Sequence, residues 1–566
     1  MSTAAFTNGY KQFSFADFSG GLNLRDKADA VGDRQAIDLL NVDFSEHGAI
    51  MQRDGFVDLI GGSLTNRVDS LSPFYKADGT RQLIAGCGTR LEAFASDGSP
   101  VANKTGLFGG PYNFVRFAAP GAEYLYAANG LDAPQRWDGA AWTVPTATVD
   151  GTGGRAMPKA GAFAVTAALA GSSSGNNASN RLIATAFGTA PNAGPNGAAT
   201  NPSRWYASNP GQPETWETDG LGTPTRGRNY GDLTPGDGEQ IMAAVTWREL
   251  IFVFKETKFF VLWGEGTAAD GTPTFQWREV VNAVGLASKL AVTVGRDGVY
   301  FFNRRGVYRT NGGNPELLSD IISPLWTTVP APYYLGSRLN LNRTDLVRMV
   351  WHQERLYVAV PTGSSTFNDR VLVYDTQHEW WSVYDLRASA LAPFRSAPAV
   401  EWLTFGYASG SNRIAQLVPN ITSDQGAVIT SRWRSGWSDY GTSQVKTIRE
   451  SRAWGTGEVV ASFSTDYGIG HRANVVLPFT PQDAQWIYQV LSGRGGDYTQ
   501  LKGTYADYDA LDDNLGAAPV IGERMARVAV RGFVFSTQFA NSPGSPSWSV
   551  HRVARNMREI REASIA

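Results

Sequence analysis

Cysteine, histidine and charge are all scarce in this 566-residue chain, and each shortage excludes something. A single cysteine, Cys87, permits no internal disulfide, so nothing points to an oxidising compartment. Within "LIAGCGTRLEAF" it reads as a small buried hydrophobe in a strand, since a catalytic thiol needs a base nearby in space. The five histidines, 47, 352, 378, 471 and 551, are scattered without metal-ligand spacing. Gly-Lys dipeptides are absent, which removes the Walker loop. No run of 18 apolar residues occurs, so no membrane span is expected. The first 30 residues lack a basic segment followed by an apolar one, so no secretory signal is expected. Charged residues make up 18%, below the roughly 25% of average soluble domains, which favours burial against partners. The net charge of −2 argues against tight nucleic-acid binding, but not against a channel through which DNA slides without being held.

What is abundant is turn-formers and rings: 62 Gly, 28 Pro, 17 Trp, 21 Tyr and 28 Phe, an all-β composition. From about Arg67 to Leu417, short apolar runs alternate with Gly, Asn, Asp and Pro turns. Seven units stand out. They begin "RQLIAGCGTRLEAF", "EYLYAANGLD", "EQIMAAVTWREL", "LAVTVGRDGVYFF", "LVRMVWHQERLYV", "DRVLVYDTQHEWW" and "EWLTFGYASG". Small meanders at this spacing predict a β-propeller of about seven blades over 67–419, with a large sandwich or two stacked sheets as the alternative. A Ser-, Asn-, Gly- and Ala-rich surface insertion interrupts it near 171–202, with an apolar island at Leu182-Ile183. After about Asn420 the alternation becomes stricter, which predicts a carboxy-terminal β-sandwich over 420–566. Residues 1–66 read as an amino-terminal docking arm. A short helix is expected after the cap Asp33, with Ala36, Ile37 and Leu40 on one face, followed by a hairpin turning at Glu46-His47-Gly48.

Searches for chemistry return little. "GSSSG" at 171–175 matches a nucleophile elbow around Ser173, but sits in a low-complexity loop rather than between strand and helix. Asp507, Asp509, Asp512 and Asp513 with Asn514 lack the spacing of an EF loop and read as a solvated acidic loop. "STDYGIGH", Ser464 to His471, resembles the Asp-box turn of sialidase-type propellers, departs from it at Gly470-His471, and reads as a hairpin turn. In "SRWRSGW" a strand puts Arg432 and Arg434 on one face and Trp433 on the other. In "HRVARNMREIR", Arg552, Arg555 and Arg558 at a three-residue interval would form one basic stripe if helical, suited to a partner surface or to nucleic acid. No catalytic set, cofactor or metal site is expected, and the chain does not read as an enzyme.

The opening is more informative. Gly20-Gly21-Leu22-Asn23, "AIDLLN" at Ala36 to Asn41, Gly48-Ala49 and Arg53-Asp54-Gly55-Phe56 resemble the amino-terminal pattern of tail nozzle proteins of short-tailed bacteriophages. These are also called tail tubular protein B or packaged-DNA stabilisation proteins. Val284 to Trp326 and Asn368 to Asp385 are similar to the same family. The resemblance implies a virion structural protein, synthesised in the host cytoplasm and located in the phage tail. It implies a propeller subunit arranged in a ring, usually a hexamer, below the portal and adaptor proteins of the head-tail connector. Tail fibre or spike proteins would attach to it. The ring would retain packaged double-stranded DNA and pass it on ejection without binding it tightly. In this reading Gly20, Gly21, Ile37 and Leu40 pin the arm to the propeller or to a neighbouring subunit, the glycines allowing close backbone approach. The alternative is a tail-tip propeller that binds or cleaves host surface glycans, which for cleavage needs two carboxylates about 5 to 9.5 Å apart.

Overall fold

The computed structural model describes residues 11–559, apart from 167–179, 188–200, 217–229, 265–274, 328–336, 480–521 and several stretches of five residues or fewer. The regular structure of the described chain is nearly all strand, with two short 3-10 helices at Asp320–Trp326 and Leu341–Leu346. Seven sheets surround one axis, antiparallel except where Thr148-Val149 runs beside Thr215-Trp216 and Phe56 beside Asp424. Blades 1 to 6 occupy residues 68–104, 113–143, 162–232, 243–279, 292–317 and 348–384. Blade 3 also carries the hairpin 146–156. Blade 7 is built from 388–417.

The propeller expectation holds, and burial explains why its strands read as they do. A strand in the middle of a blade is covered on both faces by neighbouring blades, so Val299–Asn303 "VYFFN" is buried at every position. The outermost strand is a solvated edge, and Gln276–Glu279 "QWRE" is exposed throughout. Leu182-Ile183, the apolar island of the insertion, belongs to the second strand of blade 3 and is fully buried. The seven units were nevertheless divided differently. "LVRMVWHQERLYV" and "DRVLVYDTQHEWW" are halves of one blade, blade 6, and blade 3 was not among them.

The amino-terminal segment does not stand apart. It supplies five strands: β1 (Lys11–Phe15), β2 (Ala36–Leu40), β3 (Val42–Phe44), β4 (Ile50–Gln52) and β5 (Phe56–Ile60). The β5 strand pairs antiparallel with Ile414–Leu417 and becomes the fourth strand of blade 7, closing the propeller. The others join a ten-stranded sheet whose remaining members follow residue 430. A 20-residue strand, Lys446–Thr465, organises that sheet. Its first half lies between Gly522–Gly532 and Trp548–Glu559, and its second half between Arg472–Phe479 and Phe535–Asn541. The changeover is at Gly455 and Gly457. Gly457 has a φ of +69°, and a Cβ on Gly455 would lie 2.1 Å from the Ser549 carbonyl oxygen. β1 and β4 extend the sheet along Trp548–Glu559, and β2 extends it beside Arg432–Ser435.

The helix expected after Asp33 is absent: residues 36–40 are the strand β2. Ala36, Ile37 and Leu40 fit helical spacing, but Asp38 and Leu39 between them are equally buried. A five-residue stretch covered on both sides leaves no polar face, and periodicity alone cannot separate that from a buried helical turn. The hairpin that follows does form, between β3 and β4, with Val42 opposite Gln52.

Candidate functional site

Gly20, Gly21, Ala36 to Asn41 and Arg53 to Phe56 lie where the amino-terminal segment is built into blade 6, blade 7 and the carboxy-terminal sheet. Gly20 and Gly21 begin the approach. A Cβ on Gly21 would lie 2.7 Å from the Trp380 Cβ and 2.8 Å from the Trp381 nitrogen, and its φ is +67°. A Cβ on Gly20 would lie 2.7 Å from the Gln35 Cγ and 2.9 Å from the Arg34 carbonyl. With no Cβ in the way, the backbone runs along the outer strand of blade 6, Trp381–Tyr384. Leu22 N–H donates to the Trp381 carbonyl at 2.9 Å, Asn41 N–H to the Val383 carbonyl at 2.8 Å, and Ser382 Oγ to the Val42 carbonyl at 2.6 Å. Leu24 and Arg25 N–H groups both donate to the Ile321 carbonyl, and Arg25 pairs with Asp320.

Around this backbone seam lies a buried polar cluster. Arg355 of blade 6 meets Asp43 of β3 at 2.6 Å, and the Tyr384 hydroxyl donates to the same carboxylate at 3.3 Å. Arg53, 1% exposed, forks onto Asp424 at 2.6 and 3.0 Å while its Nε donates to Asn41 Oδ1 at 2.9 Å. The Asn41 side chain also accepts from Asp385 N–H and donates to the Thr430 carbonyl, so one amide ties the segment to both neighbours. Burial pushes the Tyr357 phenol up to about 12 and the Tyr384 phenol well above its ordinary value, so both stay neutral. For Arg355 burial works against the charge and is the largest single effect, but Asp43, Tyr384 and Tyr357 together outweigh it and its pKa is raised. Phe44 packs against Trp380 edge-on at 4.8 Å. Ile37 and Leu40 are buried, Ile37 beside Ala28 and Trp437.

The basic stripe does not exist. Residues 548–559 form a strand, so successive side chains alternate between faces and a three-residue interval separates them. Arg552 is exposed and lies over the Trp454 ring. Arg555 is buried at 4% exposure, donates to the Tyr440 hydroxyl and Thr537 Oγ1, and faces the rings of Phe15, Tyr440 and Phe463. It bridges the two halves of the sandwich from inside. Arg558 lies in the same strand. In "SRWRSGW" the strand reading holds: Trp433 is buried against Phe18 and Phe539, while Arg432 pairs with Asp38 at 2.7 Å.

Cys87 is fully buried at the end of strand Arg81–Cys87, and burial pushes its thiol far above the usual range, which makes it inert. Ser464 pairs with Arg472, as a hairpin requires, while residues 467–471 lie outside the described residues. Ser173 and the cluster Asp507 to Asn514 also lie outside them. Among the described residues no group of three His, Cys, Asp or Glu is placed to hold a metal ion, and no helix is long and apolar enough to cross a membrane.

A second feature sits on the propeller axis. Where six of the innermost strands begin, they enclose a cavity of about 160 Å³. Its lining includes Lys289 and Arg348 but no Asp or Glu among the described residues, so this end of the channel offers no carboxylate pair for glycoside cleavage.

No family model and no curated protein matches the sequence. Solved structures resemble it at the level of the propeller. BBS1N in complex with ARL6DN is 13% identical with a TM-score of 0.38, covering 65% of this chain and 98% of that one. Virginiamycin B lyase from Staphylococcus aureus is 9% identical with a TM-score of 0.34, covering 65% and 98%. The extracellular domain of the one-component system BT4673 from B. thetaiotaomicron is 9% identical with a TM-score of 0.38, covering 79% and 58%. Likeness at this level says nothing about activity or ligand.

Proposed function

We propose that this chain is a structural subunit of a short-tailed bacteriophage tail, a nozzle-type protein that assembles as a ring on the tail axis. In this role it retains packaged DNA and forms the path for its ejection, held between portal-adaptor proteins above and fibre or spike proteins at its side. One observation supports the reading beyond the resemblance itself. Of the stretches that carry the resemblance, Gly21, Ala36 to Asn41 and Arg53 to Phe56 build the amino-terminal segment into the propeller and the ten-stranded sheet. A tail subunit under pressure from packaged DNA needs its domains joined without a free hinge, and a backbone seam with buried ion pairs meets that need. Native mass spectrometry of the purified chain tests the proposal. A ring, six copies being the expected number, supports it. A persistent monomer at micromolar concentration in virion-like buffer argues against it, as does electron microscopy of virions with no density for the protein on the tail axis.

A further inference from the structure

The axial cavity sets two cationic side chains, Lys289 and Arg348, in a wall that holds no carboxylate among the described residues; Asp69 and Asp345, whose charges reach Arg348, lie outside that wall. Lys289 immediately precedes the innermost part of blade 5, and Arg348 opens the innermost strand of blade 6. The Met349 N–H donates to the Leu290 carbonyl at 3.1 Å, which sets the two cationic residues side by side across the seam between blades. Lys289 is largely withdrawn from water and makes no hydrogen bond or ion pair with any described residue. Burial alone lowers its pKa, with nothing opposing. Arg348 is 6% exposed. Its Nε and Nη1 donate to the carbonyls of Asp69, Asp345 and Val347, and Nη2 has no partner among the described residues. The nearby carboxylates are engaged elsewhere: Asp69 pairs with Arg67 and Asp345 with Arg343. The Tyr112 hydroxyl in the same wall is committed to Asp132.

The remainder of the wall is mixed: Leu71, Phe114, Val245, Val292, Met349 and Leu391 give it apolar faces, and Ser70, Ser72 and Asn113 interrupt them. A cavity of about 150 Å³ takes a molecule the size of benzene, which bounds the occupant here. Confined cations want a fixed anion, and an apolar wall wants a body without charge. We propose that this cavity binds a compact organic carboxylate, its charge met by Lys289 and Arg348 and its apolar body by the side chains of the surrounding blades. This site is independent of ring formation and requires only the folded propeller.

Calorimetric titration of the purified full chain with benzoate, benzamide and inorganic phosphate tests the site. Benzoate is expected to bind at least tenfold more tightly than the neutral benzamide of the same shape, and more tightly than phosphate. Lys289→Met should weaken benzoate at least tenfold while leaving the melting temperature without ligand within a few degrees, and Lys289→Arg should restore binding. Benzoate should raise the melting temperature of the natural chain but not of Lys289→Met. Equal affinity for benzoate and benzamide, phosphate as good as benzoate, or full benzoate affinity in Lys289→Met would each overturn the proposal.

Discussion

Gly21→Ala asks whether the joint between the amino-terminal segment and blade 6 depends on close backbone approach. The new Cβ would stand 2.7 Å from the Trp380 Cβ and 2.8 Å from the Trp381 nitrogen, both belonging to a buried strand edge that has no room to yield. Gly21 also has a φ of +67°, where an alanine costs about 1 kcal/mol. Relieving the overlap means moving the segment outward and losing the 2.9 Å bond from Leu22 N–H to Trp381, worth about 1 kcal/mol, with the neighbouring bonds weakened. Together these come to about 3 kcal/mol. Gly79 provides the control, since its φ is +91° but nothing lies within 4 Å of its Cβ position. Gly79→Ala therefore pays only the backbone term. Because a two-domain chain need not unfold in one step, amide hydrogen exchange at Leu22 and Asn41 is the right readout. Gly21→Ala should speed exchange there on the order of a hundredfold, since each 1.4 kcal/mol is tenfold. Equal effects of the two alanines, each at its own site, would refute the close-approach argument.

Three further outcomes are expected. Leu372, 2% exposed between Val358 and Val383 in blade 6, should not tolerate aspartate: Leu372→Asp buries an unpaired charge, costs about 4 kcal/mol or more, and should yield insoluble or unfolded chain on expression. The Arg204 guanidinium holds the Asp232 carboxyl below its usual range. A depressed folded value means that its stabilisation is complete above the unfolded value near 4 and is lost as pH falls through the folded one. The melting-temperature gap between the natural chain and Asp232→Asn should accordingly be constant from pH 7 to 5 and shrink on further acidification. A channel that passes DNA must not grip it, so labelled duplex followed by fluorescence anisotropy should bind more weakly than roughly 1 to 100 μM at physiological salt; submicromolar affinity would contradict the channel physics.

The sequence made the blades legible and left their grouping obscure. Within a blade, alternation and turn residues are local, so "VLVYDTQHEWWSVYD" declares two strands and a turn on its own. Which strands share a blade is decided by long-range pairing, and blade 6 therefore read as two units. Blade 3 was hidden because its strands at Leu182–Thr185 and Arg204–Asn209 are separated by the low-complexity stretch between them. The amino-terminal joint was legible as glycines demanding close approach. Its partners were not, because Trp380, Trp381 and Asp424 lie more than 350 residues away in the chain. The stripe at 552–558 fails for the opposite reason: its spacing is clear, but it makes a stripe only in a helix, and the segment is an inner strand paired on both sides. Lys289 and Arg348 carried no signal at all, since only the packing of blade 5 against blade 6 brings them together.

The amino-terminal strands also set a clock on biosynthesis. β1 pairs with residues 553–557, β2 with 432–435 and β5 with 414–417, so strands made early wait for partners made hundreds of residues later. At typical elongation rates of about 5 to 20 residues per second, β1 stays unpaired for roughly 30 to 100 s. Loop closure over such a separation is slow in its own right. A chain released early leaves β1 and β4 with no edge to join, and its ribbon of unsatisfied N–H and C=O groups marks it for aggregation or proteolysis. The joint thus makes the pairing of β1 depend on translation through Trp548–Glu559, its only neighbour in the sheet among the described residues.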